Sequence, residues 1–179
     1  MRRPLSSILA LLIVLGLGCQ SPPPNPSDRD RSEPEPAAPS QPARRSDAPE
    51  FVPASESGDV VEQVLAELER ARSDDRLLLV YVGASWCEPC QYFHTALDDG
   101  TLDESLAGVR LLEFDLDRDR DRLVAAGYSS RMIPLFVAPR PDGRAGARRS
   151  EGGVKGPAAV EDLRERLVAL VRAARADLR

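Results

Sequence analysis

A continuous apolar run, LLLVYV at Leu77–Val82, constrains the fold more than any other stretch of this 179-residue chain. The run has no alternation of polar and apolar residues, so a strand built from it must be buried on both faces. A strand that is covered on both sides lies in the middle of a sheet between two helical layers. The run therefore predicts an α/β domain in which Leu77–Val82 is a central strand.

Patterns typical of helices and strands alternate on both sides of this run. Apolar residues recur every three or four positions in 59–72 and again in 160–171, which predicts two amphipathic helices. The other predicted elements are a helix at 87–98, strands at 109–116, 134–139 and 148–154, and a short helix around 121–126. The prediction is one domain, residues 56–179, with a central mixed sheet of about four strands sandwiched by helices.

Two of the three cysteines, Cys87 and Cys90, directly follow the apolar run. A structural zinc site needs four ligands, and His94 is the one histidine in the chain, so we expect no metal. Covalent haem attachment needs a histidine directly after the second cysteine, where this chain has Gln91. A redox pair and a structural disulfide are the two alternatives left, and a disulfide here closes too small a loop to stabilise a fold much.

The sequence around the pair resembles the active-site segment of thioredoxins. VYVGASWCEPCQ, residues 80–91, combines an apolar strand, a small residue, a tryptophan and CxPC at a helix start. MIPLFVAPRPDGR, residues 132–144, resembles the Ile-Pro segment of the same family, and Gly153 falls where the family often has glycine. The chain from about Asp59 onward is therefore similar to the thioredoxin-like thiol–disulfide oxidoreductases. The resemblance implies a thioredoxin fold and no cofactor.

The resemblance also implies roles for the residues of both motifs. Cys87 is expected to be the exposed nucleophile and Cys90 the more buried thiol that resolves the mixed disulfide. Both lie at a helix N-terminus, where free N–H groups and the helix dipole favour a thiolate. His94, one turn after Cys90, is expected to pack or to face solvent. The residues expected to contact the client are Trp86, Glu88, Pro89, Ile133 and Pro134, with Pro134 in the cis form.

One position departs from the family pattern. Thioredoxins usually bury an aspartate six residues before the first cysteine, and this chain has Tyr81 there. Tyrosine, with an ordinary pKa of about 10, is a poor base at neutral pH. On the neighbouring predicted strand Leu111, Glu113 and Asp115 share one face. Glu113 is therefore expected to lie under the cysteine pair as a catalytic base for Cys90, the alternative being that it meets solvent at a sheet edge.

The first 18 residues are typical of a secretory signal. Two arginines precede an apolar run from Ile8 to Gly18, which is shorter than the roughly 20 residues of a membrane-spanning helix. The sequence from Leu15 to Cys19 resembles the lipobox of bacterial lipoproteins, so we expect a lipid on Cys19. A plain signal peptide with an unmodified cysteine is the alternative. Gln20, which is not acidic, resembles sorting signals for the outer membrane.

Composition predicts a tether between the signal and the domain. Ten of the 16 prolines lie between Gln20 and Pro53. A segment of this kind cannot bury enough apolar surface to offset the entropy lost on ordering, so residues 19–55 are expected to be a disordered tether.

Charge excludes one class of partner. The chain carries a net charge of −5, and no basic patch with interleaved aromatic residues is present, so nucleic acid is not an expected partner. The charged run from Asp115 to Arg122 is expected to be solvated on exposed loops and helix faces.

Together these features predict a lipid-anchored, monomeric thiol–disulfide oxidoreductase on the periplasmic face of a bacterial membrane. Its expected clients are protein disulfides. An unidentified electron donor is expected to reduce its own disulfide back to the dithiol. CEPC resembles the motif of membrane-tethered reductases, although the spacing from Cys90 to Pro134 has no room for their central insertion. The alternatives are an oxidase or isomerase, and a client-binding module without enzymatic activity.

Overall fold

The computed structural model describes residues 47–178. The predicted signal peptide, Cys19 and the first part of the predicted tether lie outside the described residues. In chain order the elements are β1 (Glu50–Pro53), α1 (Val60–Ser73), β2 (Leu77–Gly83), α2 (Glu88–Asp98), β3 (Val109–Asp115), α3 (Leu116–Ala125), β4 (Leu135–Pro139), β5 (Ala145–Glu151) and α4 (Ala159–Asp177). In this part of the chain no helix is both long enough and apolar enough to cross a membrane.

The strands form one mixed sheet in the order β1-β3-β2-β4-β5. The first three strands of that order are parallel, and β4 and β5 run antiparallel to their neighbours. The strand β2 is central, as its apolar sequence predicts, and it pairs with β3 on one side and β4 on the other. The predicted α/β class and the mixed sheet between helices are confirmed, with five strands where about four were expected.

Every residue of β2 is buried, because its alternate side chains enter two different cores. One set packs with α2 and α4, and the other packs with α1 and α3. The first set is Leu77, Leu79 and Tyr81, and the second is Leu78, Val80 and Val82. This two-sided burial explains why the strand has no polar position.

The strand β1 corrects the predicted tether, which was expected to extend to residue 55. Phe51 pairs in register with Leu111 of β3, and its ring lies 6.0 Å from that of Tyr81. The backbone N–H of Ala54 then donates to the carbonyl of Glu113 at 2.8 Å. The composition argument fails here because it averages over a long segment, whereas an edge strand needs only a few apolar residues and one partner strand.

The helix α3 begins earlier than predicted. A short helix was expected around residues 121–126, but α3 spans Leu116–Ala125. The carboxylate of Asp115 caps it by accepting the backbone N–H groups of Asp117 and Arg118, at 2.9 and 3.0 Å. The charged run was expected to be solvated, and this cap gives its first residue a structural role.

The prediction of a solvated run is also wrong for Asp119, whose side chain is fully buried. Its carboxylate accepts from the guanidinium of Arg118 at 2.8 Å and from that of Arg122 at 2.7 Å. Burial alone would raise the pKa of Asp119, but the hydrogen bonds and charges of these two arginines hold it below its ordinary value. Arg122 also donates to the carbonyl of Gly58, which ties α3 to the loop before α1.

Candidate active site

The two cysteines form a disulfide at the N-terminus of α2, with their Cα atoms 5.2 Å apart. Cys87 is the N-cap residue, and its Sγ accepts the backbone N–H of Cys90 at 3.3 Å. Both side chains are buried, Cys87 being 4% exposed and Cys90 1%. The expected order of burial is therefore present, but Cys87 is not the exposed residue that was expected. Ala84, Leu116 and Ile133 form the small apolar cluster that packs around the pair.

A groove of about 490 Å³ opens beside the disulfide, and Cys87 lines it. Trp86, Pro89, Met132 and Ile133 also line the groove, and Ile133 packs against the cysteine pair. Among the described residues, Cys87 but not Cys90 belongs to the lining of this groove. A molecule lying in the groove would therefore meet Cys87 first.

The Ile133–Pro134 peptide is cis, as the resemblance implies, and Ile133 lines the groove. The carbonyl of Pro134 accepts the backbone N–H of Gly152 at 2.8 Å, which fastens this segment to the end of β5. A Cβ atom on Gly153 would lie 3.1 Å from the Cβ of Pro89. The chain after β5 thus approaches the cysteine helix closely, and glycine allows that approach.

Two of the expected client-contact residues are held by hydrogen bonds. The indole N–H of Trp86 donates to Asp117 at 2.6 Å, while 62% of the residue stays exposed. The carboxylate of Glu88 accepts the backbone N–H of Gly156 at 3.0 Å. Glu88 therefore links the helix start to the loop before α4 in addition to lying beside the nucleophile.

A polar cluster lies on the α2 side of the sheet. The hydroxyl of Tyr81 is 3.3 Å from Nε2 of His94, and the carboxylate of Glu113 lies 3.1 Å from the same nitrogen. Gly83 leaves room for this hydroxyl, since a Cβ there would lie 2.3 Å from it. Burial raises the pKa of Tyr81 well above its ordinary value, and the charges of Glu113 and Asp115 raise it further. Tyr81 therefore stays protonated at neutral pH.

The structure thus places Glu113 against His94, with 27% of the Glu113 side chain exposed. Glu113 matches neither expected position in full. Its side chain is largely shielded from solvent, and its charged partner is His94 rather than a cysteine. Its role as a base for Cys90 stays a prediction. The His94 contact was missed because it joins residues 19 positions apart on a helix and a strand, and the sequence gives no local signal for it.

Sequence analysis also missed three cations that line the groove, Arg120, Arg131 and Lys155. Arg131 directly precedes the Ile-Pro segment, and Lys155 follows two residues after Gly153. Both are therefore adjacent to motifs that the sequence did reveal. Ligands of open α/β sheets bind beyond the carboxyl ends of the strands, and that rule would have directed attention to Lys155, which follows β5, but not to Arg131, which precedes β4.

Comparison with known proteins gives a limited match in sequence. No family model matches the chain. A TPR repeat-containing thioredoxin of Arabidopsis thaliana is 32% identical over 71 residues, which is 40% of this chain and 18% of the relative. The chain therefore spans less than a fifth of the length of that relative.

Two of the solved structures that match the chain are thioredoxins. That of Trichomonas vaginalis is 24% identical, with a TM-score of 0.44 over 65% of this chain and 94% of its own. A thioredoxin h of poplar is 18% identical, with a TM-score of 0.44 over 69% of this chain and 96% of its own.

The chain's own features assign the fold more directly. The mixed five-stranded sheet lies between two helical layers, and a CxxC disulfide begins the helix that follows its central strand. The Ile133–Pro134 peptide of the segment that resembles the Ile-Pro motif is cis, and Ile133 lines the groove. The described part of this chain therefore has the α/β fold that its resemblance to thioredoxins implies.

Proposed function

We propose that this chain is a thiol–disulfide oxidoreductase that acts on protein disulfides through Cys87 and Cys90. The observation that carries the proposal is the disulfide at the start of α2, with Cys87 lining a groove that Ile133 also lines. A structural disulfide would gain nothing from such a groove. An extended client segment could lie in it with its sulfur close to Cys87.

The chemistry follows from the arrangement of the two thiols. In the reduced protein the Cys87 thiolate attacks one sulfur of a client disulfide, and the other client sulfur leaves as a thiolate. The Cys90 thiolate then attacks Sγ of Cys87, which releases the second client thiol and forms the Cys87–Cys90 disulfide. Two electrons pass to the client. The backbone N–H of Cys90, 3.3 Å from Cys87 Sγ, is placed to stabilise the attacking thiolate.

We assign the reductase direction to this cycle, so a dithiol donor must reduce the Cys87–Cys90 disulfide after each turnover. An oxidase would run the same exchange in reverse, and an isomerase would return the client disulfide in a new pairing. The reduction potential separates the first two: a value near about −270 mV supports a reductase, and one near about −120 mV supports an oxidant.

The test uses the full-length chain in a nonionic detergent. Equilibration in a series of glutathione buffers measures the reduction potential of the Cys87–Cys90 couple. The turbidity that follows reduction of insulin disulfides measures the reductase activity, with dithiothreitol as the electron donor. We expect insulin reduction well above the rate with dithiothreitol alone. If the protein binds unfolded clients but reduces none, the oxidoreductase proposal is contradicted. The non-enzymatic client-binding module would then be the better assignment.

We also propose that a lipid on Cys19 holds the domain on the periplasmic side of a bacterial membrane. The lipobox-like sequence Leu15–Cys19 supports this, as does the proline-rich composition that follows. In the domain, β1 runs parallel to β2, so the chain enters at the end of the sheet opposite the cysteines. Cys19→Ser should move the protein from the membrane to the soluble fraction, and unchanged partition would contradict the proposal.

A further inference from the structure

The groove beside the disulfide is basic although the chain as a whole is acidic. The net charge of the chain is −5, yet three exposed cations line this one groove. They come from separate places: Arg120 from α3, Arg131 from the loop before Pro134, and Lys155 from the loop before α4. Three parts of the fold therefore bring positive charge to the same place.

Within residues 47–178, neither Arg131 nor Lys155 forms an ion pair. Arg120 reaches Asp117 only at 3.9 Å, with both side chains more than half exposed. A contact of that kind contributes little. The cations of the groove are thus left available to a ligand.

Glu88 lines the groove together with the three cations, and Asp117 binds the groove residue Trp86. Both carboxylates accept from neutral donors, Glu88 from the backbone N–H of Gly156 and Asp117 from the indole N–H of Trp86. Each of these hydrogen bonds fixes part of the groove wall. The two carboxylates reduce the positive potential of the groove, but they do not form close ion pairs with its cations.

The same helix shows what a structural arginine looks like in this protein. Arg122, two residues after Arg120, is bound to buried Asp119 and to the carbonyl of Gly58. Arg120 lines the groove, and the 3.9 Å approach to Asp117 is its one ion pair among residues 47–178. Exposed like charges repel one another when no anion lies between them. A client that carries carboxylates would remove that repulsion.

We propose that this groove selects clients whose cysteine is flanked by aspartate or glutamate side chains. The apolar rim formed by Trp86 and Met132, which are 62% and 59% exposed, packs against the client backbone and its apolar side chains. The cations then bind carboxylates on either side of the client sulfur. The proposal names the client class for the oxidoreductase proposed above, but binding can be measured without any redox step.

The test uses three synthetic peptides of equal length, each with serine in place of the cysteine. The serine is flanked on both sides by glutamates, glutamines or lysines. Trp86 is the only tryptophan of the chain and lies in the groove wall, so its fluorescence reports binding to the full-length protein. We expect the glutamate peptide to bind about tenfold more tightly than the lysine peptide at low ionic strength. The ratio should fall as salt shortens the Debye length to about 8 Å at 0.15 M.

Matched variants locate the effect. The double variant Arg131→Gln, Lys155→Gln should reduce the glutamate-to-lysine preference to within about twofold. The control Arg72→Gln, Arg172→Gln removes the same charge from exposed positions outside the groove lining and should keep the preference. Equal binding of all three peptides, or a preference that survives the groove variant, overturns the proposal. If the protein prefers the glutamate peptide but reduces no disulfide, this inference stands and the proposed function is contradicted.

Discussion

At the amino ends of the parallel strands Arg110 is buried between Glu67 and Glu50, whereas beside the cysteines the exposed Arg131 and Lys155 form no ion pair with the residues that the structure describes. Nε of Arg110 donates to Glu67 at 2.6 Å, and its Nη1 donates to Glu50. Arg110 and Glu67 are 7% and 5% exposed. Arg110 is compensated within the fold, which points to a role in stability, whereas the proposal above assigns Arg131 and Lys155 to a client.

The electrostatics of the buried site support this distinction. Burial opposes the charge on Arg110, but the hydrogen bonds and charges of Glu67 and Glu50 raise the pKa of its guanidinium above the ordinary value. The cation is therefore compensated by carboxylates of α1 and β1. At the cysteine end, the fold supplies Arg131 and Lys155 with no comparable anion in the described residues.

The largest effects are expected from substitution of the cysteines. The comparison of the two ends of the sheet predicts that these variants lose activity but keep the fold. Cys87→Ser should lower disulfide reduction on the order of a thousandfold or more, because it removes the attacking thiol. Cys90→Ser should trap clients as mixed disulfides, because Cys87 can attack but no resolving thiol follows. Trapped clients are measured on nonreducing gels.

The two cysteine variants control for each other. Cys87→Ser retains Cys90, which does not line the groove, so it should trap few clients. Equal trapping by the two variants would mean that the nucleophile is misassigned. Far-ultraviolet circular dichroism should show the same helix content in both.

The opposite result is expected at the amino ends of the strands. Arg110→Met removes one of the two arginines that bind the buried Glu67, the other being Arg70, and should lower the free energy of unfolding by about 2 kcal/mol. Urea denaturation measures this change. Insulin reduction under native conditions should stay within about twofold of wild type, since Arg110 lies at the far end of the sheet.

A double variant separates the loss of an interaction from the burial of an unpaired charge. Glu67→Leu, Arg110→Met removes both charges and should recover most of the stability, to within about 1 kcal/mol of wild type. If the double variant is less stable than Arg110→Met, the ion pair contributes stability in its own right. A strong loss of activity at native stability would contradict the division between the two ends.

The same comparison shows what sequence alone can predict. The strand β2 and the cysteine helix follow local patterns, and their positions are confirmed to within one residue. Glu67 and Arg110 are 43 residues apart, so no periodicity or motif predicts their pairing. The edge strand β1 was missed for a related reason, since its partner β3 is about 60 residues away. Local signals predict elements, and contacts between distant charges need the fold.

A smaller effect is expected from substitution of Glu113. This variant tests whether the cluster of Tyr81, His94 and Glu113 takes part in catalysis or only stabilises the fold. If Glu113 accepts the proton of Cys90, Glu113→Gln should slow release of the mixed disulfide at pH 7 by roughly threefold to tenfold. Alkylation of Cys87 in the reduced protein should change little. Rapid mixing with a fluorescent disulfide peptide measures the release step.

His94→Asn is the matched variant, because His94 contacts both Tyr81 and Glu113. Equal slowing in the two variants would indicate that the proton passes through the cluster. Slowing in Glu113→Gln alone would indicate direct action on Cys90. Release at the wild-type rate in both would leave water as the base and assign the cluster to structure.

The smallest expected effect is at Glu88, a carboxylate of the cysteine end that is both hydrogen-bonded and next to the nucleophile. Thioredoxins commonly have glycine at this position. A negative charge beside Cys87 disfavours a second one, so removing it should raise the thiolate fraction of Cys87 at pH 7 by about twofold. The effect is modest because solvent and salt screen the interaction. Thiolate absorbance in a Cys90→Ser background measures that fraction.

Two substitutions distinguish the charge of Glu88 from its hydrogen bond. Glu88→Gln removes the charge but keeps an oxygen that can accept the N–H of Gly156, whereas Glu88→Gly removes both. If charge alone matters, the two variants should show the same rise in thiolate. A larger change in Glu88→Gly would mean that the loop before α4 also positions the helix start. A lower thiolate fraction in Glu88→Gln would refute the like-charge argument, because that variant leaves the wall of the groove intact.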